Sequence, residues 1–400
     1  MYIRFKKADI VILRKGTTMK KLLIVNDLIY GGGVEKLMYD LVMAWKDKYK
    51  ITVMSRGYEK NFYDKYPKKI DYFSELMRRE LKGKNPVIKF IKKGIRFLNY
   101  QRIKIKIKKA KYDAMLVMKE GLMLKRCLKY SAAIKLAWNH TDYNSSYYTK
   151  AIFGSAKAEV EAMRGYHNII CVAQDIRKGI IDVIGDPGNL IVKYNPINVE
   201  YILEKANEPI VDLDIYDEND SKRPIRFVSV GRLNKQKGYP MLVEACGALE
   251  EEGYNFEVIV IGPQEEWSTM EYEDIQSALN RTQAKKIKFI GSRENPYKYM
   301  ALADWFISSS LYEGYSLVSQ EAALLGTPLM LSDCSGVREL LGDNEYGIVF
   351  PKTVYGIYKA MKKVLDDPKL HDHYKKKIFE RKAIINYEER IAEIEELFAD

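Results

Sequence analysis

Glu313 and Glu321 stand eight positions apart in the segment Leu311-Tyr-Glu-Gly-Tyr-Ser-Leu-Val-Ser-Gln-Glu-Ala-Ala323. Glu313 follows an apolar run that ends near Ser308, Gly314 permits a turn, and Ser316 is placed to cap a helix running to Gly326. The backbone N–H groups of Ser316, Leu317 and Val318 would then be free for a phosphate, because the first turn of a helix has no internal acceptors for its donors. Glu321, one turn further in, would repel a phosphate that faced it directly, yet a carboxylate accepts hydrogen bonds from a ribose diol. A nucleoside diphosphate meets both demands. The plainer alternative is two ordinary glutamates flanking a capped helix.

Two further segments carry compatible chemistry. In Gly231-Arg-Leu-Asn-Lys-Gln-Lys-Gly238, Arg232 leaves the end of an apolar run and Lys237 sits where the next helix begins. Arginine offers a planar fork and lysine a point charge, which together suit a diphosphate, although two solvated surface cations would read the same way. Gly31, Gly32 and Gly33 precede Val34 and Glu35 in a turn that opens a helix after the first apolar run. Backbone without Cβ atoms can approach a phosphate or sugar closely; three glycines serve a tight turn equally well. His140, in Trp138-Asn-His-Thr-Asp142, also follows a strand, with a satisfied structural histidine as its alternative reading. His167, His371 and His373 carry no motif.

These segments need elements to hold them, and the apolar runs supply the frame. Short runs alternate with longer amphipathic stretches, the pattern of βα units on a mostly parallel sheet. One series comprises Lys21–Asn26, Ile51–Met54, Ala114–Met118, Ile134–Trp138 and Asn168–Val172, and ends near Tyr194–Ile197. The polar stretch Asn207–Pro224 reads as a surface connection. A second series follows: Ile225–Val230, Phe256–Ile261, Ile287–Ile290, Trp305–Ser308, Leu329–Leu331 and Gly347–Phe350. The expected fold class is therefore α/β, with two Rossmann-like doubly wound domains facing across a crevice. In such sheets ligands bind beyond the carboxyl ends of the strands, which is where all the segments above fall. The expected divisions are an N-terminal domain over 19–198, a C-terminal domain over 199–380 and a terminal helix over 381–400. Residues 1–18 read as an upstream extension, with Met19 as the expected initiator.

Composition narrows the classes. The chain has 400 residues, 47% hydrophobic and 30% charged, which excludes disordered, collagenous and disulfide-miniprotein classes. No apolar run approaches the ~20 residues of a membrane-spanning helix. Cys127, Cys171, Cys246 and Cys334 lie far apart and read as reduced and structural. Asp212-Leu-Asp214 lies in the polar connection and reads as composition, not as a metal site. The net charge of +12 is localised: Lys82 to Lys111 holds twelve basic residues and no acidic one, and the rest of the chain balances. Val87, Ile91, Ile95 and Leu98 recur there at helical spacing, so the segment reads as a helix with an apolar stripe and a basic remainder. That pattern suits an anionic membrane surface. A solvated face over a normal core is the alternative, and no nucleic-acid partner is expected, since no binding fold or stacking platform is recognisable.

The pairing of Glu313 and Glu321 with Gly231-Arg232 and Lys237-Gly238 resembles the retaining nucleotide-sugar glycosyltransferases of family 4 (group 1), over nearly the whole chain after Met19. The resemblance implies the two-domain GT-B architecture. It implies that Arg232 and Lys237 hold the donor diphosphate, that Glu321 binds the ribose and that Glu313 lies against the donor sugar. Backbone of Gly314, Tyr315, Ser316 and Leu317 would contact sugar and phosphate, Gly31 to Gly33 would border the donor from the opposite domain, and the base would meet backbone near Arg293. His140 resembles a first-domain histidine that reaches the donor sugar, and Cys334–Glu339 another donor-side loop. No metal and no cofactor are implied beyond the UDP-sugar as donor substrate.

The expected activity is hexosyl transfer from a UDP-sugar to a saccharide acceptor, expected on a polyprenyl diphosphate, during surface-polysaccharide synthesis such as that of capsule or exopolysaccharide. The expected location is cytoplasmic and peripheral on the inner face of the cell membrane. Two rivals remain at this stage: a sugar-nucleotide epimerase of the same architecture, and a non-catalytic basic protein that binds nucleic acid or membrane.

Overall fold

The computed structural model describes residues 19–29, 32–58, 65–77, 86–214, 220, 222–264, 269–381 and 386–398; the expected extension 1–18, Gly31 and Lys82 to Asn85 lie outside them. Thirteen described strands form two sheets. The first holds β1 (Lys21–Ile29), β2 (Lys50–Tyr58), β3 (Asp71–Met77), β4 (Tyr112–Val117), β5 (Ala132–Asn139), β6 (Asn168–Cys171) and β7 (Leu190–Val192), in the order β3-β2-β1-β4-β5-β6-β7. The second holds β8 (Ile225–Val230), β9 (Phe256–Ile261), β10 (Ile287–Phe289), β11 (Trp305–Ser308), β12 (Leu329–Ser332) and β13 (Ile348–Phe350), in the order β10-β9-β8-β11-β12-β13. Every pairing is parallel.

Helices cover both faces, so the central strands bury both sides and read as unbroken apolar runs, as in Leu22–Val25 and Phe256–Ile261. The Gly33–Trp45 helix shows the matching pattern, burying Leu37, Met38, Leu41, Val42 and Trp45 along one stripe. In each sheet the strand order reverses beside the first strand of the domain, at β1/β4 and at β8/β11. Loops leaving those strands in opposite directions open a crevice between them.

The structure adds one strand that the sequence did not announce and corrects another. β3 is an edge strand paired only with β2, and its sequence, Asp-Tyr-Phe-Ser-Glu-Leu-Met, lacks the apolar run of a central strand. The last strand of the first sheet is Leu190–Val192, not Tyr194–Ile197. Lys193 still donates its N–H to Cys171, but Pro196 has none to give, and the chain departs toward the Val199–Ala206 helix.

The basic segment does form a helix, Pro86–Ala110, with proline at its first position. Its burial differs from the expected stripe. Ile103 and Ile107 are the buried pair, whereas Ile95, Phe97, Leu98 and Ile105 are exposed, Leu98 at 63%. The side chains of Val87 and Ile91 lie outside the described residues.

The chain closes with the Tyr387–Glu396 helix, which buries Ile391 and Ile394. Phe398 packs edge-on against Trp45 at 5.1 Å, and Lys20 Nζ donates to its carbonyl at 3.1 Å. Arg390 is buried, donating to the Asn195 carbonyl at 2.7 Å and to Gln320 at 3.1 Å. The terminal helix thus touches elements of both domains. Phe398→Ala should cost about 3–5 kcal/mol, because the ring is fully enclosed. Urea unfolding followed by circular dichroism checks this, and a loss under ~1 kcal/mol would mean that the terminal helix contributes little to the fold.

Candidate active site

The carboxyl ends of both sheets line one cleft of about 630 Å³ between the domains. From the second domain come the loop after β8, with Gly231, Arg232 and Lys237, and the loop after β11, with Glu313 to Val318. A Cβ at Gly231 would lie 2.5 Å from Cε of Lys237, so a side chain there would push the lysine stem from its present path. Lys237 Nζ reaches Glu313 Oε1 at 2.7 Å, and Ser310 Oγ donates to the same oxygen at 2.7 Å. Gln236 donates to the Tyr312 carbonyl at 3.1 Å and so steadies the turn. Lys237 and Glu313 are therefore presented as a fixed pair.

Ser316 caps the Leu317–Leu325 helix, its hydroxyl accepting from the N–H of Ser319, and left-handed Gly326 closes it. Leu317 and Val318 line the cleft at this N-terminus, where helix N–H groups favour an anion. The φ of Gly314 is not positive, so the turn here does not by itself require a glycine. A Cβ at Gly314 would lie 1.9 Å from the carbonyl oxygen of His140 in the other domain. The glycine permits a backbone-to-backbone approach between domains.

From the first domain, Gly32 and Gly33 line the cleft; Gly31 lies outside the described residues. Glu35 turns back to accept the Gly32 N–H at 2.8 Å, so part of this helix N-terminus is already satisfied by a carboxylate. His140 borders the cleft and lies against the Trp138 ring, with centroids 5.7 Å apart. Burial pushes its imidazole down to about 4, against the pull of Glu120, so the ring is neutral at pH 7. Its Nε2 is buried without a hydrogen-bond partner.

Two expected residues are engaged in ways the sequence did not disclose. Arg293 lines the cleft, but its Nε pairs with Asp212 at 2.8 Å. Asp212 in turn accepts from the Tyr299 hydroxyl at 2.6 Å, and those bonds hold its carboxyl below the usual range. The polar connection thus anchors a cleft residue; it is not mere composition. Glu321 is buried behind the first helical turn and outside the cleft lining, paired with Lys36 of the first domain at 2.8 Å.

The loop Cys334–Glu339 fastens the domains. Glu339 accepts the N–H groups of Gln174 and Asp175, at 3.1 and 3.0 Å, while Asp175 accepts that of Gly336 at 2.8 Å. Each carboxylate caps a helix of the other domain. Ser335 adds a bond to Asp142 at 2.7 Å.

Sequence reasoning missed Glu120, which follows β4 at the point where the strand order reverses. It is buried and accepts from the His140 N–H at 3.0 Å, the Thr141 hydroxyl at 2.6 Å and the Tyr148 hydroxyl at 2.8 Å. Burial opposes its charge, yet Lys119, His140 and these bonds leave its pKa lowered. All three donor residues line the cleft, so one anion organises that wall. The available signal was the triplet Lys119-Glu-Gly121 directly after an apolar run.

With this geometry in place, similarity to known proteins becomes informative. Residues 213–381 match the family Glycosyl transferases group 1. The N-acetylgalactosamine-N,N'-diacetylbacillosaminyl-diphospho-undecaprenol 4-alpha-N-acetylgalactosaminyltransferase of Campylobacter jejuni is 24% identical over 367 residues, covering 90% of this chain and 94% of that protein. The amylovoran biosynthesis glycosyltransferase AmsK of Erwinia amylovora is 31% identical over 143 residues, 32% of this chain and 33% of its own. Among solved structures, Anabaena Alr3699/HepE, in complex with UDP and glucose, superposes with a TM-score of 0.74 at 15% identity, covering 96% of this chain and all of that one. Sucrose-phosphate synthase from Thermosynechococcus elongatus superposes at 0.72 and 15%, covering 95% and 98%. Both sheets and the crevice between them are those of the GT-B fold, and residues 213–381 are the part of the chain that matches the group 1 glycosyltransferases.

Proposed function

We propose that the protein is a retaining hexosyltransferase of family 4 that moves a hexose from a UDP-sugar to a saccharide acceptor borne on a polyprenyl diphosphate, in surface-polysaccharide assembly. The observation that carries this reading is the convergence of Arg232, the Lys237–Glu313 pair and the N-terminus of the Leu317–Leu325 helix on one cleft, closed from the other domain by Gly32, Gly33 and His140. The printed name of the Campylobacter relative supports a diphospho-undecaprenol acceptor, and the UDP and glucose in the HepE complex support the donor.

The chemistry follows from charge placement. Breaking the bond between the sugar C1 and the diphosphate oxygen leaves negative charge on the phosphate, and Arg232, Lys237 and the helix N–H groups stand where that charge develops. These groups supply the positive charge in this reading, which assigns no metal and no cofactor. The acceptor hydroxyl then bonds to C1 on the face that the phosphate leaves, and its proton passes to a phosphate oxygen. Configuration is thereby retained without an enzyme nucleophile. Neutral His140 offers a lone pair to a sugar hydroxyl, and Glu313 stands against the sugar, oriented by Lys237 and Ser310.

The reading places the protein at the cytoplasmic face of the membrane. Among the described residues no helix is long and apolar enough to cross a bilayer. The Pro86–Ala110 helix instead exposes Phe97, Leu98 and Ile105 together with Arg102, Lys104, Lys108 and Lys109. At ~1 kcal/mol per engaged cation, these four would give reversible attraction to anionic lipid.

Activity, lipid binding and acid stability each test the reading. Lys237→Ala should lower kcat by about 10²–10³, measured as UDP release with acceptor and EDTA present; an unchanged rate would remove Lys237 from the diphosphate site. Product should form only when acceptor is supplied, whereas turnover of donor alone would mean a different reaction. The second concerns lipid: replacing Arg102, Lys104, Lys108 and Lys109 together by glutamate should abolish low-salt co-sedimentation with phosphatidylserine vesicles. Retention of the wild type on neutral vesicles alone would contradict the anionic-surface assignment.

The third concerns acid. His140 titrates at about 4 in the fold against ~6.5 unfolded, so its contribution is complete above ~6.5 and is lost as pH falls toward 4. The full swing is roughly 3 kcal/mol. Asp40, which burial pushes up to about 6, works oppositely, losing stability as pH rises from ~4 to 6. The comparison must therefore be between wild type and His140→Gln, by urea unfolding at pH 4.5 to 7.5. Their stability difference should shrink on the acid side, and a pH-independent difference would show that the imidazole is not held neutral.

A further inference from the structure

Lys36 and Glu321 form an ion pair across the two domains, Nζ to Oε1 at 2.8 Å. Lys36 lies in the first full turn of the Gly33–Trp45 helix, and Glu321 in the helix whose N-terminus faces the cleft. The Tyr297 hydroxyl donates to the same Oε1 at 3.3 Å, and the Lys36 ammonium stands 5.5 Å from the centre of the Tyr297 ring. Asp40, one turn along, lies 3.7 Å from Nζ. Burial opposes the charge of Lys36, but Glu321, Tyr297 and Asp40 outweigh it and raise the pKa.

Two donors thus converge on one oxygen of Glu321, and among the described residues none is bonded to Oε2. A carboxylate pinned through one oxygen presents the other in a fixed direction, with lone pairs for vicinal hydroxyls. Without Lys36 the same carboxylate would stand uncompensated beside a diphosphate, with its orientation set by the tyrosine alone.

We infer that Lys36 is a positioning residue for nucleotide recognition: from the opposite domain it neutralises and orients Glu321, so that ribose binding requires the two domains to be closed on one another. This rests on the nucleotide-sugar reading above. Lys36 contributes in this way without touching the nucleotide, and its loss should be felt at the ribose and not along the diphosphate.

Isothermal titration of the full chain with UDP and with 2′,3′-dideoxyuridine diphosphate separates these contributions. The wild type should prefer UDP by about tenfold or more, the worth of hydrogen bonds to a charged acceptor. Lys36→Met should weaken UDP and leave the dideoxy compound nearly unchanged, collapsing the preference, while Lys36→Arg should restore much of it. Tyr297→Phe, a smaller change, should reduce the preference a few-fold. A folded Lys36→Met protein that keeps the full preference, or that binds UDP more tightly because the lysine had been occupying the ribose position, would overturn the inference. If Lys36→Met does not fold, an undiminished preference in Tyr297→Phe overturns it. Failure of the wild type to bind either compound would instead overturn the nucleotide-sugar reading, and the role of Lys36 with it.

Discussion

The carbonyl oxygen of His140 occupies the position where any side chain at residue 314 would begin, and the active cleft depends on that approach. It brings the loop after β5 against the loop after β11, so that a histidine from one sheet and a glutamate–lysine pair from the other share one cavity. Backbone-to-backbone contact of this kind leaves no room for adjustment, because interiors are packed too densely to absorb even a methyl group without displacement. The two domains are held at that distance by polar bonds: Glu339 and Asp175 exchange helix caps, Ser335 reaches Asp142, and Arg390 joins Asn195 to Gln320. Hydrogen bonds of this sort contribute about 1 kcal/mol each and can break one at a time, which suits a seam that must open for substrate.

Charge in and behind the cleft is arranged as held pairs. Lys237 is carried by Glu313, Glu321 by Lys36, and Arg293 by Asp212. A pair fixed before the ligand arrives loses little freedom on binding, and preorganisation of this kind is what stabilises developing charge. His140 and Glu120 extend the principle to uncharged groups, since the buried anion fixes the backbone and hydroxyls that surround a neutral imidazole.

Much of this was legible in the residues. Strands buried on both faces announce themselves as apolar runs, and β8 and β9 have the boundaries that their runs imply. Ser316 caps its helix as its position requires, and Arg232, Lys237 and Glu313 meet because post-strand loops of a doubly wound sheet gather at one edge. Edge strand β3 was hidden because a strand paired on one side need not be apolar. Strand order is set by tertiary pairing, so the sequence could not reveal that β4 neighbours β1, and Glu120 passed unnoticed. Gly314 carried the right residue for a different reason: a glycine required by contact with another domain looks the same as one required by a turn. The ion-pair partners of Glu321 and Arg293, Lys36 and Asp212, were invisible for the same cause, each lying more than eighty positions away.

The most direct test of the account is a crystal structure of the full chain with UDP bound. The account predicts the diphosphate against Arg232, Lys237 and the N–H groups at the start of the Leu317–Leu325 helix, with the ribose toward Glu321. Nucleotide bound elsewhere, or a cleft that stays empty at saturating UDP, would contradict it.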